Sequence, residues 1–445
     1  MKKLILVLAA FVLHGSARSQ SSPPPIVLSP AIPSDVKVTA KTVSIDAFQP
    51  DFDVYSWNTF IALNWPAEPN GNADLNQKIG AKSDNDTVWE HYRDVRDVFL
   101  PGGKRPTWNG PSEAPPVPVK GYKKGMPVIT QIGKTPTLLT DASQPFNTGP
   151  LIDQNGYYTR FQILINKSMF DYILNNSLYS KAGQKVFTTP VNFTCGSLAS
   201  SKKPEVEGAI MVKSSWKVID PSEKSHFHSE EVVVCSPPEK EGEKPICELK
   251  TMGLVGLHIA HKTTSASQWL WSTFEHIDNA PTDADVKSGN LKARYNYYNP
   301  KCDAKDCPAN QIPPRPWVPA AVSSFHSQVV RNDMFNLPIY ESSAKARNAD
   351  AWALLGSVNP NSVWKNYELI STMWPTNPGN CAAVPGDPLC NPAPTFMANT
   401  TLETYLQKSN PPQPNVSSQC IECHNNATTT AARPSDFTYI LQRAQ

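Results

Sequence analysis

Proline most constrains what this chain can fold into: 43 of its 445 residues are proline. Each one fixes φ and removes a backbone donor, so it interrupts a helix interior or the ladder of a central strand. Many loops, short strands and few long helices are therefore expected. The prolines cluster in a Ser/Pro-rich lead at 21–34, in a loop at 101–118 and in a stretch at 375–414. Between the last two lie most of the alternating and apolar runs.

Those runs read as strands. Val128, Thr130, Ile132 and 138–140 fit short extended pieces, and 157–165 is β-branched or aromatic at many positions. Residues 209–219 alternate through Ile210, Val212, Trp216 and Val218; 231–234, 251–261 and 269–276 follow the same logic. Met169, Ile173, Leu174 and Leu178 stand at helical spacing within 167–179. Ser56 is placed to cap a short helix through Ile61 and Leu63. Residues 328–374 read as more helical, most clearly at 351–355. The expected class is α+β: a β-rich core with many Pro-rich loops and a short helical C-terminal segment. The expected division is a leader at 1–17, a body at 18–374, a tether at 375–414 and a terminal segment at 415–445.

The leader has the layout of a secretory signal peptide. Lys2 and Lys3 precede an apolar run from Leu4 to Leu13, then Gly15 and Ala17 offer small residues for cleavage. The run is about half of the roughly 20 residues that span a bilayer, so no transmembrane anchor is expected. Export to the periplasm or beyond makes disulfides plausible. Three local pairs suggest themselves: Cys235 with Cys247 across a hairpin tip, Cys302 with Cys307, and Cys381 with Cys390. Cys195 is left over. Charged residues make up 18% of the chain and the formal net charge is +2, which points away from nucleic acid as a partner.

The motif that carries chemistry is Cys420-Ile421-Glu422-Cys423-His424, a Cys-x-x-Cys-His, the spacing used for covalent attachment of c-type haem. Two thiols about one helical turn apart reach both vinyl groups on one porphyrin edge, and the adjacent histidine becomes the proximal iron ligand. A second Cys-x-x-Cys, which a zinc site of this kind needs, is missing from the sequence, and no βαβ pattern suggests a thioredoxin-like pair. A simple disulfide is the remaining alternative. Past the motif, Ser435 is a good N-cap for a helix carrying Phe437, Ile440 and Leu441 on one face.

No methionine or histidine follows His424, so any distal ligand must come from upstream. His258, His261, His276, His326, Met373 and Met397 are the candidates, with His258 first. A vacant distal position is the other possibility. His226-x-His228 is a weaker metal candidate. Nucleophilic hydrolysis finds no support: there is no Gly-x-Ser-x-Gly, and Glu275-His276 and Glu230-Glu231 read as ordinary core or solvated residues.

The chain resembles a group of bacterial exported proteins of the cytochrome c family, with a large body and one attachment motif near the C-terminus. The resemblance rests on Trp57-Asn58-Thr59-Phe60-Ile61-Ala62-Leu63-Asn64-Trp65-Pro66, Lys213-Ser214-Ser215-Trp216, Gly256-Leu257-His258-Ile259, Trp269-Leu270-Trp271-Ser272-Thr273-Phe274-Glu275-His276 and the terminal motif. It implies one bound haem and electron transfer with a redox partner protein or a small-molecule donor or acceptor. The alternative is a haem enzyme or gas-binding protein with an open iron position for peroxide, oxygen or nitric oxide. A third is a polymer- or ligand-binding core with haem as a relay, for which the 11 tryptophans supply stacking surface.

Overall fold

One strand organises the architecture. Residues 253–260 read Gly-Leu-Val-Gly-Leu-His-Ile-Ala, apolar at consecutive positions, as suits a strand covered on both faces. The computed structural model describes residues 24–38, 44–80, 86–129, 149–236, 243–314, 323–332, 338–376, 392–407 and 420–445. In chain order its helices are α1 (Ile45–Leu63), α2 (Lys167–Asn175), α3 (Lys181–Val186), α4 (Asp283–Ser288), α5 (Pro338–Val358) and α6 (Cys420–Asn425). Its strands are β1 (Arg93–Asp94), β2 (Val128–Ile129), β3 (Arg160–Ile165), β4 (Ile210–Val218), β5 (Ser229–Ser236), β6 (Ile246–His261), β7 (Leu270–His276), β8 (Tyr367–Pro375) and β9 (Pro392–Ala393).

The strands form one sheet in the order β1-β3-β4-β6-β7-β8-β9. Its pairs are antiparallel, except that β2 lies parallel to β5. Met252 and Gly253 pair with β4 and β5 at once. β5 therefore lies on the β6 edge opposite β4, and β7 continues that edge over residues 256–261. The β-rich α+β expectation agrees with this sheet and its helices.

Each face has its own cover. Trp57, Phe60 and Ile61 of α1 and Ala351 and Leu355 of α5 pack against Val212, Leu257, Ile259, Phe274 and Leu369. On the opposite face, Met169, Phe170 and Ile173 of α2 pack with Met211, Ala260, Trp271 and Met373, joined by Ile421, Phe437, Ile440 and Leu441 from the C-terminal segment. Because α1 is wedged between sheet and α5, even its polar residues are buried. Asp53 accepts from Gln49 Nε2 (2.9 Å), Thr372 Oγ1 (2.8 Å) and Ser343 Oγ (2.6 Å). Burial nevertheless raises its carboxyl to about 6.

The sequence-based boundaries shift in three places. α1 starts far upstream of Ser56: Ser44 caps it by accepting from Ala47 N at 3.2 Å. Ser56 instead lies inside the helix, bonded to Ser272 Oγ and Thr372 Oγ1. The helical expectation over 328–374 holds only for α5; Tyr367–Pro375 is strand β8, completing the ladder of β7. Residues 392–407 are no free tether. Asn399 Nδ2 donates to Phe274 O (2.8 Å), Thr401 Oγ1 pairs with Ser215 Oγ (2.6 Å), and Tyr405 Oη donates to Pro150 O (2.7 Å). The small polar side chains that read as loop are those that can bond across a sheet face.

Two expected disulfides are present. Cys235 and Cys247 are register partners with Cα atoms 4.1 Å apart, and Cys302 bonds Cys307 with Cα atoms 6.0 Å apart. Cys195 is a half-buried free thiol, and burial pushes its pKa up. The Cys381–Cys390 pair, the leader at 1–17, the strand pieces at 130–132 and 138–140, and the parts of the tether at 377–391 and 408–414 lie outside the described residues. Among the described residues no helix is long and apolar enough to cross a membrane.

Gly256 is where 392–407 crosses β6: a Cβ there would overlap Thr401 Oγ1 and Ser215 Oγ. Gly256→Ala is expected to cost about 1–3 kcal/mol by overpacking. Urea unfolding of wild type and variant measures this, and equal midpoints would contradict the packing.

Candidate functional site

The Cys-x-x-Cys-His motif forms α6, a helix of under two turns that buries Ile421 and Asn425. Ile421 is fully buried among Met373, Met397 and Phe437, while Cys420 and Cys423 are half-exposed. Helical spacing brings residues three apart to the same side, so both thiols share one edge of α6.

His424 follows with its ring held from several sides. Its Nδ1 lies 2.8 Å from the Phe437 carbonyl. A carbonyl only accepts, so Nδ1 donates, and in the neutral ring Nε2 carries the lone pair. Trp271 lies 4.4 Å from the imidazole, centre to centre, and Tyr439 packs edge-on at 5.3 Å. Tyr439 Oη also donates to Cys423 O at 2.7 Å, tying α6 to the chain terminus.

The Phe437 carbonyl is aimed by unusual backbone. Asp436 and Phe437 both have positive φ, 53° and 62°. Asp tolerates the left-handed region; for a bulky Phe it costs on the order of 1–3 kcal/mol and persists only where neighbours over-determine it. The neighbours here are Lys262, whose Nζ pairs with the Asp436 carboxylate, Phe193 N, which donates to Asp436 Oδ2 (2.7 Å), and Trp269 Nε1, which donates to Asp436 O (3.1 Å). Burial raises the Asp436 carboxyl, and the Lys262 ammonium opposes that shift. The helix expected from Ser435 is thus replaced by a tight turn and a short 3-10 segment, Tyr439–Arg443, capped by Thr438. Two successive left-handed residues cannot continue an α-helix. Phe437, Ile440 and Leu441 are buried all the same.

The upstream candidates separate by face. Met373 is the cross-strand partner of Trp271, and both Met373 and Met397 are buried in the cluster that holds Ile421. His258 points to the same sheet face as Ala260, two residues away, and Ala260 pairs with Trp271; that is ~7 Å along the strand. Its Nε2 sits 3.3 Å from the Glu403 carboxylate. His261 faces α1, its nitrogens engaged by Tyr55 Oη and Glu207 O. His276 Nε2 contacts His226 O (3.1 Å), its Nδ1 accepts from Asp278 N (3.2 Å), and Phe227 stacks on the ring. His261 and His276 therefore offer no nitrogen to a ligand. His326 is exposed.

His226 and His228 do not form one site. His226 Nε2 meets Asp278 Oδ2, which belongs to a carboxylate shared with Lys292, whereas His228 Nε2 meets Glu90 Oε1, each at 2.5 Å. Glu275, read from sequence as an ordinary core residue, is buried with Arg331 and Thr400 as partners.

Sequence reasoning missed Lys262, Asp436 and the Phe437 carbonyl. A lysine directly after the apolar run of β6 was the available signal, since a buried lysine requires a partner. Lys262→Met leaves Asp436 buried without its cation and is expected to cost about 3–5 kcal/mol, with faster amide exchange across 420–445. Unchanged denaturation and exchange would remove the pair from its anchoring role. No family model matches the chain, and no curated protein and no solved structure is a match to it.

Proposed function

We propose that this protein is an exported c-type cytochrome carrying one haem, attached through Cys420 and Cys423 with His424 as proximal iron ligand, and that it acts in electron transfer. The observation that carries the reading is the Nδ1 contact of His424 with Phe437 O at 2.8 Å. A metal-binding histidine is commonly fixed by a hydrogen bond from its other nitrogen to a carbonyl, which sets the tautomer and raises ligand basicity. A Cys-x-x-Cys pair that served only as a disulfide would have no need of a histidine held this way.

The donor set fits the group: two thiols on one edge of a short helix and an imidazole whose Nε2 is the basic nitrogen. Haem bound here supplies an iron that exchanges one electron between its ferric and ferrous states. The chain's own residues do the positioning. Lys262 and Asp436 hold the turn, the turn aims the Phe437 carbonyl, and the carbonyl orients His424. Trp271 and Tyr439 fix the ring plane. The disulfides Cys235–Cys247 and Cys302–Cys307 suit an oxidising compartment, where covalent haem attachment takes place.

A second reading, a haem enzyme or gas-binding protein with an open iron position, is favoured by the state of the distal candidates. His258 is engaged by Glu403, and Met373 and Met397 are packed among apolar neighbours.

Two measurements test these readings. Expressed with a periplasmic haem-attachment apparatus, wild type is expected to retain haem stain on a denaturing gel and the Cys420→Ala, Cys423→Ala double variant to lose it; stain retained by the variant refutes covalent attachment at α6. The ferrous spectrum is then recorded with and without carbon monoxide. Electron transfer predicts a low-spin spectrum that carbon monoxide leaves unmoved. A rapid shift establishes the open-site reading instead.

A further inference from the structure

A second cluster of ligating side chains lies on the other face of the sheet, where α1 and α5 pack. His228 and Glu230 stand two residues apart at the start of β5, so they project to the same side. The 3-10 turn at Val88–His91 brings Glu90 over them. One ligand atom from each of Glu90, His228 and Glu230 lies within 4.8 Å of the others.

Glu90 and His228 are held in place by contacts outside the cluster. Glu90 Oε2 accepts from Thr87 N at 2.6 Å in a capping box, which leaves Oε1 directed at His228 Nε2. The His228 ring is stacked on Trp364, with centres 4.6 Å apart, and its backbone N donates to Tyr367 Oη. Lys224, the nearby cation, is engaged with Glu231, not with this trio.

The cluster opens on a cavity of about 1000 Å³. Two further groups on its wall point to a ligand. Tyr92 Oη and Arg93 Nε are buried polar atoms without a hydrogen-bond partner among the described residues, and Arg93 is only 9% exposed. The Arg93 Nη atoms are spent on Gly110 O, Pro111 O and the Asp97 carboxylate, which leaves its Nε–H as a buried donor with no acceptor among the described residues.

We propose that Glu90, His228 and Glu230 form a binding site for one divalent first-row transition-metal cation, with its remaining coordination positions open to the cavity. One imidazole and two carboxylates are a donor set for Mn²⁺, Fe²⁺ or Zn²⁺ more than for Ca²⁺ or Mg²⁺, which prefer all-oxygen shells. Two partly buried carboxylates side by side repel unless a proton or a cation lies between them, and a dication also satisfies the imidazole lone pair. Arg93 Nε–H and Tyr92 Oη, on the same wall, are hydrogen-bonding groups for a ligand that completes the metal's coordination. The site is independent of the haem proposal: it lies on the opposite sheet face and shares no residue with it.

The test uses the full chain, stripped with chelator and titrated with Mn²⁺, whose hexaaqua paramagnetic resonance signal disappears on binding. Mn²⁺ is chosen because thiols such as Cys420 and Cys423 compete poorly for it. Wild type is expected to take up one Mn²⁺ per chain. Glu230→Gln, and separately Glu90→Gln, which still serves the capping box, are expected to weaken binding about tenfold or more. His226→Asn, in the neighbouring group of His226, His276 and Asp278, is expected to leave it unchanged. Wild type that leaves the signal intact at millimolar metal, or Gln variants that bind as tightly as wild type, overturns the proposal. So does loss of binding in His226→Asn alone.

Discussion

Everything in this molecule hangs on β6 being paired along both edges. β4 bonds one edge, and β5 and then β7 bond the other. Edge pairing leaves only the two faces of β6 to be covered, and the largely apolar run from Leu254 to Ala260, buried on both faces, requires cover above and below. The α1–α5 layer meets one requirement. The other is met jointly by α2 and by a C-terminal segment remote in sequence. The terminal segment is therefore part of the cover of the core, and the motif it carries is held against the sheet.

That docking places an ion pair where water is scarce. Lys262 ends β6 and reaches Asp436 beneath the turn. Breaking such a pair costs far more than its net contribution suggests, because one charge stays buried and alone. Its role is geometric: it holds two residues in the left-handed region so that one carbonyl meets one imidazole nitrogen. The energetic strain at Phe437 and the orientation of His424 are two aspects of the same constraint. The cluster at Glu90, His228 and Glu230 follows a related principle on the other face, where helix capping and aromatic stacking fix groups that would otherwise avoid one another.

Much was legible from local pattern. The alternation over 209–219 and 269–276 became β4 and β7, and the apolar run over 251–261 became the C-terminal part of β6. The cysteines flanking 236–246 proved to be register partners, because a hairpin places its two ends opposite each other. Ser56 misled because a serine before an apolar run looks like a cap, and nothing local reveals that α1 is buried on all sides with its polar groups bonded to β7 and β8. Residues 399–401 misled because Asn and Thr are loop formers until a sheet face with a glycine at 256 lets them approach.

By itself the sequence determined the Cys-x-x-Cys-His spacing, the punctuation by proline and the face alternation of the strands, since all three are properties of residues a few positions apart. Only the tertiary structure decided that Trp271 and the Phe437 carbonyl flank His424, that His261 and His276 are spent on other partners, and that His226 and His228 part company. These depend on which strands pair and in what register. Such pairings join residues far apart in the chain, and their free energy comes from burial that no local window contains.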